Sequence, residues 1–329
     1  MSKFLIRRLI LAVFIVVFGA LIVYSVIRCL PTSYVEAIAR QRASQPGSTM
    51  GYSEWLAQLN AVYGLDKGII PGYWQWLCNA AQGNFGDSWS YYVPVVQKFN
   101  DVIWYSVIIN VITFVFQIVT CIPLGILAAR KQYSKTDYAI SIFALMGISL
   151  PTFFLATILK YIFSINLGWF DLYGIVGRFH SQLDTWGKVL DIAHHMVLPI
   201  ITLAMLSVGG LMRYTRTNML EVLSADYIRT ARAKGLSEKK VINKHAFRNT
   251  LIPLITYMSY LLPSMFSGSM ITETLYQIPG IGYISYDAMK AGDIPFTMFY
   301  TVFSIVLTQV SLMIADIMYA VVDPRVRIH

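Results

Sequence analysis

The sequence predicts an all-α, polytopic membrane protein of six transmembrane helices, with a polar helical hairpin on its inner side. Three observations predict it. Only 13% of the 329 residues are charged and 56% are hydrophobic, with a mean hydropathy of +0.57; a soluble domain carries about 25% charged residues. Apolar segments recur at 9–27, 102–129, 138–163, 196–212, 251–275 and 296–322, and in lipid a helix satisfies its own backbone polar groups. Between the fourth and fifth segments lies the longest basic stretch, 224–253, SADYIRTARAKGLSEKKVINKHAFRNTLIP.

The first span follows Lys3, Arg7 and Arg8, as a signal peptide would. Yet 9–27 has about the 20 residues needed to cross a bilayer, no small-x-small site follows, and Arg28 before Cys29 is a poor context for lipoprotein processing. An uncleaved N-terminal helix over 1–30 is therefore expected. Residues 31–100 form a long outer loop, broken by Gly64, Gly68, Pro71, Gly72, Gly83 and Gly86. Its Tyr52, Trp55, Tyr63, Tyr73, Trp74, Trp76, Trp89, Tyr91 and Tyr92 suit an interfacial aromatic belt or a small extracytoplasmic cap; the belt is the expectation for most of them. The remaining five spans, 101–322, enclose the hairpin, 214–250, and 323–329 is an inner tail. The fourth span is short and has the least defined ends. Pro123, Pro151, Pro199, Pro253 and Pro263 permit kinks where neighbours re-satisfy freed carbonyls.

Basic residues set the orientation. With the N-terminus inside, the inner segments hold 17 of the 26 lysines and arginines, including Arg130, Lys131, Lys135, Arg213, Arg216, Arg325 and Arg327. Acids such as Glu36, Glu54, Asp66, Asp87, Asp171, Asp184, Asp191, Asp287 and Asp293 fall outside. The positive-inside rule places both termini and the hairpin in the cytoplasm. That accounts for the net charge of +9 without nucleic acid, and a DNA-reading helix pair does not suit a tether between two spans. The three cysteines, Cys29, Cys78 and Cys121, offer no obvious disulfide and no metal cluster.

No catalytic constellation is present. GxxxxGK[ST], HExxH and GxSxG are absent from the sequence, so this chain has no P-loop of its own. His194 and His195 adjoin, with Asp191 nearby, but neighbours on a helix point about 100° apart. Interfacial capping is the expectation there and no metal is assigned. Glu273 and Asp316 lie at membrane depth, where ionisable groups are candidates for a translocation path; local capping or pairing is the alternative for each. A bundle without chemistry takes its energy from a gradient or from another subunit. A gradient-driven carrier would show several intramembrane acids or matching broken helices, which are scarce here.

The hairpin has the punctuation of two short helices. Ser224 is placed to cap 225–234, Gly235 to provide a left-handed stop, Ser237 to cap a second helix from 238 to about 249, and Pro253 to open the next span. From the residues alone it is a docking surface or a solvated basic loop.

These residues also carry a resemblance. The stretch resembles the EAA loop of binding-protein-dependent ABC importer permeases, in the form found in the dipeptide/oligopeptide/nickel (Opp/Dpp) subfamily. Asp226, Tyr227, Arg229, Thr230, Ala231, Arg232, Ala233, Lys234, Gly235 and Leu236 stand where DYxRTARAKGL does, followed by Ser237 and by His245, Ala246, Arg248, Asn249 and Pro253. The glutamate of the broader E-A-A-x-x-x-G consensus is missing, as it is generally in this subfamily. FLIRRLI, the loop YGLDKGIIPGYWQWLCNAAQGNFGDSW, ETLYQIPGIG and ADIMYAVVDPRVR extend the likeness over the whole chain, and the long first outer loop resembles that of the B-type subunit. The resemblance implies a type I importer permease fold and a non-enzymatic half of a heterodimeric pore in a bacterial or archaeal inner membrane. It implies a sister permease, two ATPase subunits that grip the hairpins, and an extracytoplasmic binding protein. The cargo would be oligopeptides or dipeptides, or else nickel chelates, glutathione or another small solute. No cofactor is expected on this chain; ATP and Mg would sit on the partner ATPases. Asp226, Tyr227 and residues 229–237 would make the ATPase contact, with Ala231 and Ala233 small enough for close approach and Arg229, Arg232 and Lys234 at its rim. Gly235→Pro or a bulky residue at 231 is expected to spare insertion and abolish transport.

Overall fold

A computed structural model describes residues 2–29, 33–46, 48–62 and 67–322. The expected tail 323–329, with Arg325 and Arg327, lies outside the described residues, as do Pro31, Tyr63, Gly64 and Asp66 of the outer loop. Among the described residues all extended regular structure is helical; one isolated bridge joins Asp87 to Pro94. The chain divides into two compact units, residues 1–103 with 284–310 and residues 104–283 with 311–329. The first of these takes 284–310 out of the 101–322 core that the sequence suggests.

In the first unit α1 (Ser2–Arg28) presents Ile10, Phe14 and Ile22 outward, as a lipid-facing helix does. The outer loop folds into α2 (Ser33–Ala43), α3 (Tyr52–Val62) and α4 (Ile69–Ala81). Its aromatics are mostly not a belt. Tyr73 and Trp76 of α4 are buried with Ala20 and Tyr24 of α1, and the Tyr73 hydroxyl donates to the Val17 carbonyl at 2.6 Å. Trp89 is buried against Val35, Ala39 and Leu59, with Tyr52 and Trp55 alongside; Trp74 is exposed. Three short helices cannot bury a core of their own without large side chains, so these rings supply one. Buried Asp293 accepts from Ser88 Oγ, from Ser90 N at 3.0 Å and from Phe296 N at 3.2 Å, tying this loop to the start of the last helix.

In the second unit α5 (Val95–Arg130), which also carries residues of the first, leads into α6 (Lys135–Ser149). Ser134 Oγ accepts from Asp137 N at 3.3 Å, an N-cap bond. Pro151 then holds Leu150 extended and begins α7 (Thr152–Leu159), continued by a π-helical turn, Lys160–Asn166. The two pieces bend by 104°, because the residue before a proline leaves the helical region. The expected third span, 138–163, is thus a bent pair rather than a rod. Helix α8 (Thr185–Leu223) runs 39 residues, about 58 Å at 1.5 Å per residue. The expected fourth span, 196–212, is only its middle. It packs on α6 through Gly147 and Gly209, where an added Cβ would collide with the carbonyls of Met205 and Ala144, the small-residue contact that lets helices approach in lipid.

Next come α9 (Asp226–Ala233), the single turn α10 (Glu238–Lys240), a π-helical turn Val241–Ala246, and α11 (Phe247–Ser267). The expected fifth span, 251–275, breaks at Gly268, φ +79°, into α11 and α12 (Met270–Tyr276). Helices α13 (Ile281–Lys290) and α14 (Ile294–Val322) complete the chain. Among the described residues four helices are long and apolar enough to cross a bilayer, Ile6–Arg28, Val95–Arg130, Thr185–Leu223 and Ile294–Met318, or five if the bent pair counts as one span. Outside that set, α11 has 21 residues, long enough to span, and carries two prolines.

Candidate functional site

The hairpin stands on a small apolar cluster. Ile228 and Ala231, three apart on α9, are buried with Ala129 of α5, Met219 of α8 and Val241, Ile242 and Ala246. Leu236 packs against the same group. Residues i and i+3 share a helix face, so α9 has one inward stripe. Asp226, Tyr227, Arg229, Thr230, Arg232 and Ala233 face out, followed by Lys234, Gly235 and Ser237.

This corrects the reading of the two alanines. Ala231 is buried in the chain's own cluster; its small size fits α9 onto α5 and α8, not onto a partner. Ala233 is the alanine on the open face. The helix phase explains the difference, since two positions apart is about 200° around the axis.

The turn is closed by the backbone. Gly235 N donates to Arg232 O at 2.9 Å and Leu236 N to Ala231 O at 3.4 Å, the paired bonds of a Schellman stop. Gly235 sits at φ +73°, and a Cβ there would meet nothing within 4 Å. Glycine is required by conformation and not by space. Across the turn Arg232 grips Glu238 with both arms, Nη2 to Oε1 at 2.8 Å and Nε to Oε2 at 3.2 Å. The Arg232 guanidinium holds the Glu238 carboxyl below the usual carboxylate range. Arg232 is therefore a staple between the two arms, while Arg229, only 3.7 Å from Asp226 yet three-quarters exposed, is free to meet a partner.

One cap assignment also changes. Ser224 terminates α8, its Oγ donating to Glu221 O at 2.7 Å, and α9 starts from Ala225 without a side-chain cap. Ser237 does stand at the second start, again without a side-chain bond. The second arm does not stop near 249. It runs through the π-helical turn into α11, with Pro253 inside the helix, so the arm and the next span are one continuous element.

A clamp that sequence reasoning missed holds the base of the hairpin. Buried Asp137 accepts from Arg216 Nε at 2.7 Å and Nη2 at 2.8 Å, and from Tyr133 N at 2.9 Å. A planar fork on a carboxylate fixes direction as well as distance, so α8 is pinned to the first turn of α6. The signal was present, an acid three residues after Ser134 and an arginine outside the lipid, but nothing in the sequence pairs them across 79 positions.

The two depth candidates separate. Glu273 is 1% exposed. Its Oε1 accepts from Ser106 Oγ at 2.7 Å and Ser269 N at 2.8 Å, and its Oε2 from Tyr283 N at 3.0 Å. With Ile281 N bonded to Ser106 Oγ at 2.8 Å, it gathers α5, α12 and the 277–283 turn into one knot. Such a saturated carboxylate holds backbone in place. Asp316 lies half-buried on α14.

The family model for the "Binding-protein-dependent transport system inner membrane component" matches residues 121–328. The "Oligopeptide transport system permease protein AppB" of Bacillus subtilis (strain 168) is 35% identical over 327 residues, 99% of each chain. The "Oligopeptide transport system permease protein OppB" of Haemophilus influenzae is 34% identical over 278 residues, covering 83% of this chain and 86% of its own. The "Di/tripeptide transport system permease protein DppB" of Pseudomonas aeruginosa is 32% identical over 340 residues, 99% of each. An inward-facing structure of the MetNI methionine ABC transporter covers 69% of this chain and 97% of its own with a TM-score of 0.53 at 16% identity, a likeness of fold alone.

Proposed function

The chain belongs to the binding-protein-dependent transport system inner membrane components, and from that premise we propose that it is the B-type permease of an ATP-driven peptide importer, with α9 as its ATPase contact. Membership makes it a multi-pass membrane subunit of an ABC importer and not an enzyme. Peptide cargo rests on the names of the relatives; oligopeptides or dipeptides are the class they share. A sister permease, two ATPases that carry ATP and Mg, and an extracytoplasmic binding protein complete the assembly. Both termini and the hairpin lie in the cytoplasm of a bacterial or archaeal cell, as the basic residues require.

The observation that carries the docking role is the split face of α9. Its inward stripe is fixed on α5, α8 and the π-helical turn that leads into α11, while Tyr227, Arg229, Thr230 and Ala233 are exposed. An ATPase groove takes such a helix, and a push on α9 passes into α8 through the apolar cluster and from α8 into α6 through the Asp137–Arg216 fork. Because the second arm is continuous with α11, the same push reaches that helix without a hinge. ATP-driven closure then tilts the bundle between outward- and inward-facing states. Glu273 remains a path candidate only as the knot that keeps the outer end of α12 together, and Asp316 as a half-buried group on α14.

Affinity purification of the solubilised chain tests this. It should bring down a sister permease and two ATPases, and the reconstituted complex should hydrolyse ATP faster with a peptide-loaded binding protein. Uptake that persists without any ATPase would identify a gradient-driven carrier instead.

A further inference from the structure

We propose that Asp171, His194 and His195 form a binding site for a divalent transition-metal ion of the zinc, cobalt or nickel kind, in the half of α8 remote from the hairpin. One ligand atom from each of the three lies within 4.8 Å of the others. The sequence alone argued against this, because adjacent histidines diverge on a helix. The fold supplies what was missing, a carboxylate from the loop between the π-helical turn and α8.

His195 carries the argument. Its side chain is 3% exposed, and its Nδ1 lies 2.8 Å from the Asp191 carbonyl. A carbonyl only accepts, so Nδ1 carries a proton, and in the neutral ring Nε2 then keeps its lone pair. That buried Nε2 has no hydrogen-bond partner, yet it faces Asp171 Oδ2 at 3.1 Å. With the ring neutral these are two electron-rich atoms held close without hydrogen-bond geometry, an arrangement that a cation between them satisfies. Ligands of a tetrahedral zinc, with bonds of about 2.0–2.1 Å, stand about 3.3 Å apart, close to the spacing found. His194, exposed and stacked on Phe170 at 4.8 Å, supplies the third ligand by a ring rotation.

The surroundings complete the pattern. A metal-bound histidine donates its other nitrogen to a carbonyl or carboxylate that fixes its orientation, as His195 does. Asp191 Oδ2 is 2.6 Å from His180 Nδ1 and accepts from Gly177 N at 2.9 Å, so the loop that delivers Asp171 is itself anchored. Two imidazoles and one carboxylate with a fourth position open suit zinc, cobalt or nickel better than magnesium or calcium. The ion would staple the 167–184 loop to α8.

The test is a cobalt(II) titration of the chelator-treated, full transporter complex in lipid nanodiscs, read by ligand-field absorption and followed by displacement with zinc(II). Wild type is compared with His194→Ala, Asp171→Asn and the double variant. Both positions are exposed, and unchanged thermal unfolding in chelator verifies the fold. Ions held by partner subunits cancel in the difference. One further cobalt per permease in wild type, with affinity reduced 10–100-fold in each single variant and a zinc-induced rise in Tm absent from the double variant, supports the site. Equal binding by wild type and the double variant overturns it. An imidazolium–carboxylate pair at His195 and Asp171, seen by NMR as a histidine unmoved by zinc, also overturns it.

Discussion

Replacing Gly235 isolates the backbone term of the hairpin. At φ +73° with no atom within 4 Å of a new Cβ, Gly235→Ala introduces no clash and loses no hydrogen bond. What remains is the cost of a left-handed alanine, about 1–2 kcal/mol, a factor of about 5–30 in a local opening equilibrium. Gly235→Asn should cost less, since asparagine enters that region more readily. Gly235→Pro should be worst, because φ is locked near −65° and the bond to the Arg232 carbonyl is lost. Hydrogen–deuterium exchange over residues 228–246 of the assembled complex reads the effect directly. Exchange should accelerate in the order Asn, Ala, Pro while the amides of α1 and α4 stay as in wild type, and coupled ATP hydrolysis should fall in the same order. Exchange in Gly235→Ala equal to wild type, or Asn as damaging as Pro, would refute a conformational role for this glycine.

Other perturbations separate the remaining contacts. Asp137→Ala leaves Arg216, one-quarter exposed, without its partner; breaking a buried pair costs 3–5 kcal/mol, and about 3 is expected here, read as a lower Tm of the solubilised chain with recovery when Arg216 is also made Met. Ala231→Leu should overpack the chain's own cluster by about 1–3 kcal/mol, whereas Ala233→Leu should leave the Tm of the isolated permease unchanged and weaken capture of the ATPase. The Arg232–Glu238 staple is exposed and worth at most about 1 kcal/mol. Because Glu238 is held below its usual pKa, this stability is fully present above about pH 4.3 and is lost as pH falls through the lowered value. Exchange over 232–240 should rise with acid in wild type and show no such step in Glu238→Gln.

The sequence was most legible where one residue type answers one backbone need. Gly235 marked its turn because little else adopts that φ, and Pro151 marked a break, though not its 104°. Apolar runs gave the spans but not the helices, since lipid depth limits hydropathy and does not limit hydrogen bonding; α8 therefore extends well past both ends of 196–212. Ala231 and Ala233 could not be told apart, because which side of α9 faces inward depends on Ala129 and Met219, about 100 and 12 positions away. The same holds for Asp137 with Arg216, and for Asp171 with His195, whose closeness is a product of the fold.

The central claim is that the exposed face of α9 is where a nucleotide-hydrolysing partner is seated. A photo-crosslinking residue at 233, with one at 186 on the exposed start of α8 as control, measures this in intact cells. The account predicts an ATPase adduct at 233 that changes in yield when ATP hydrolysis is blocked, and none at 186. An adduct at 186 but not at 233, or no ATPase adduct at either position, would contradict it.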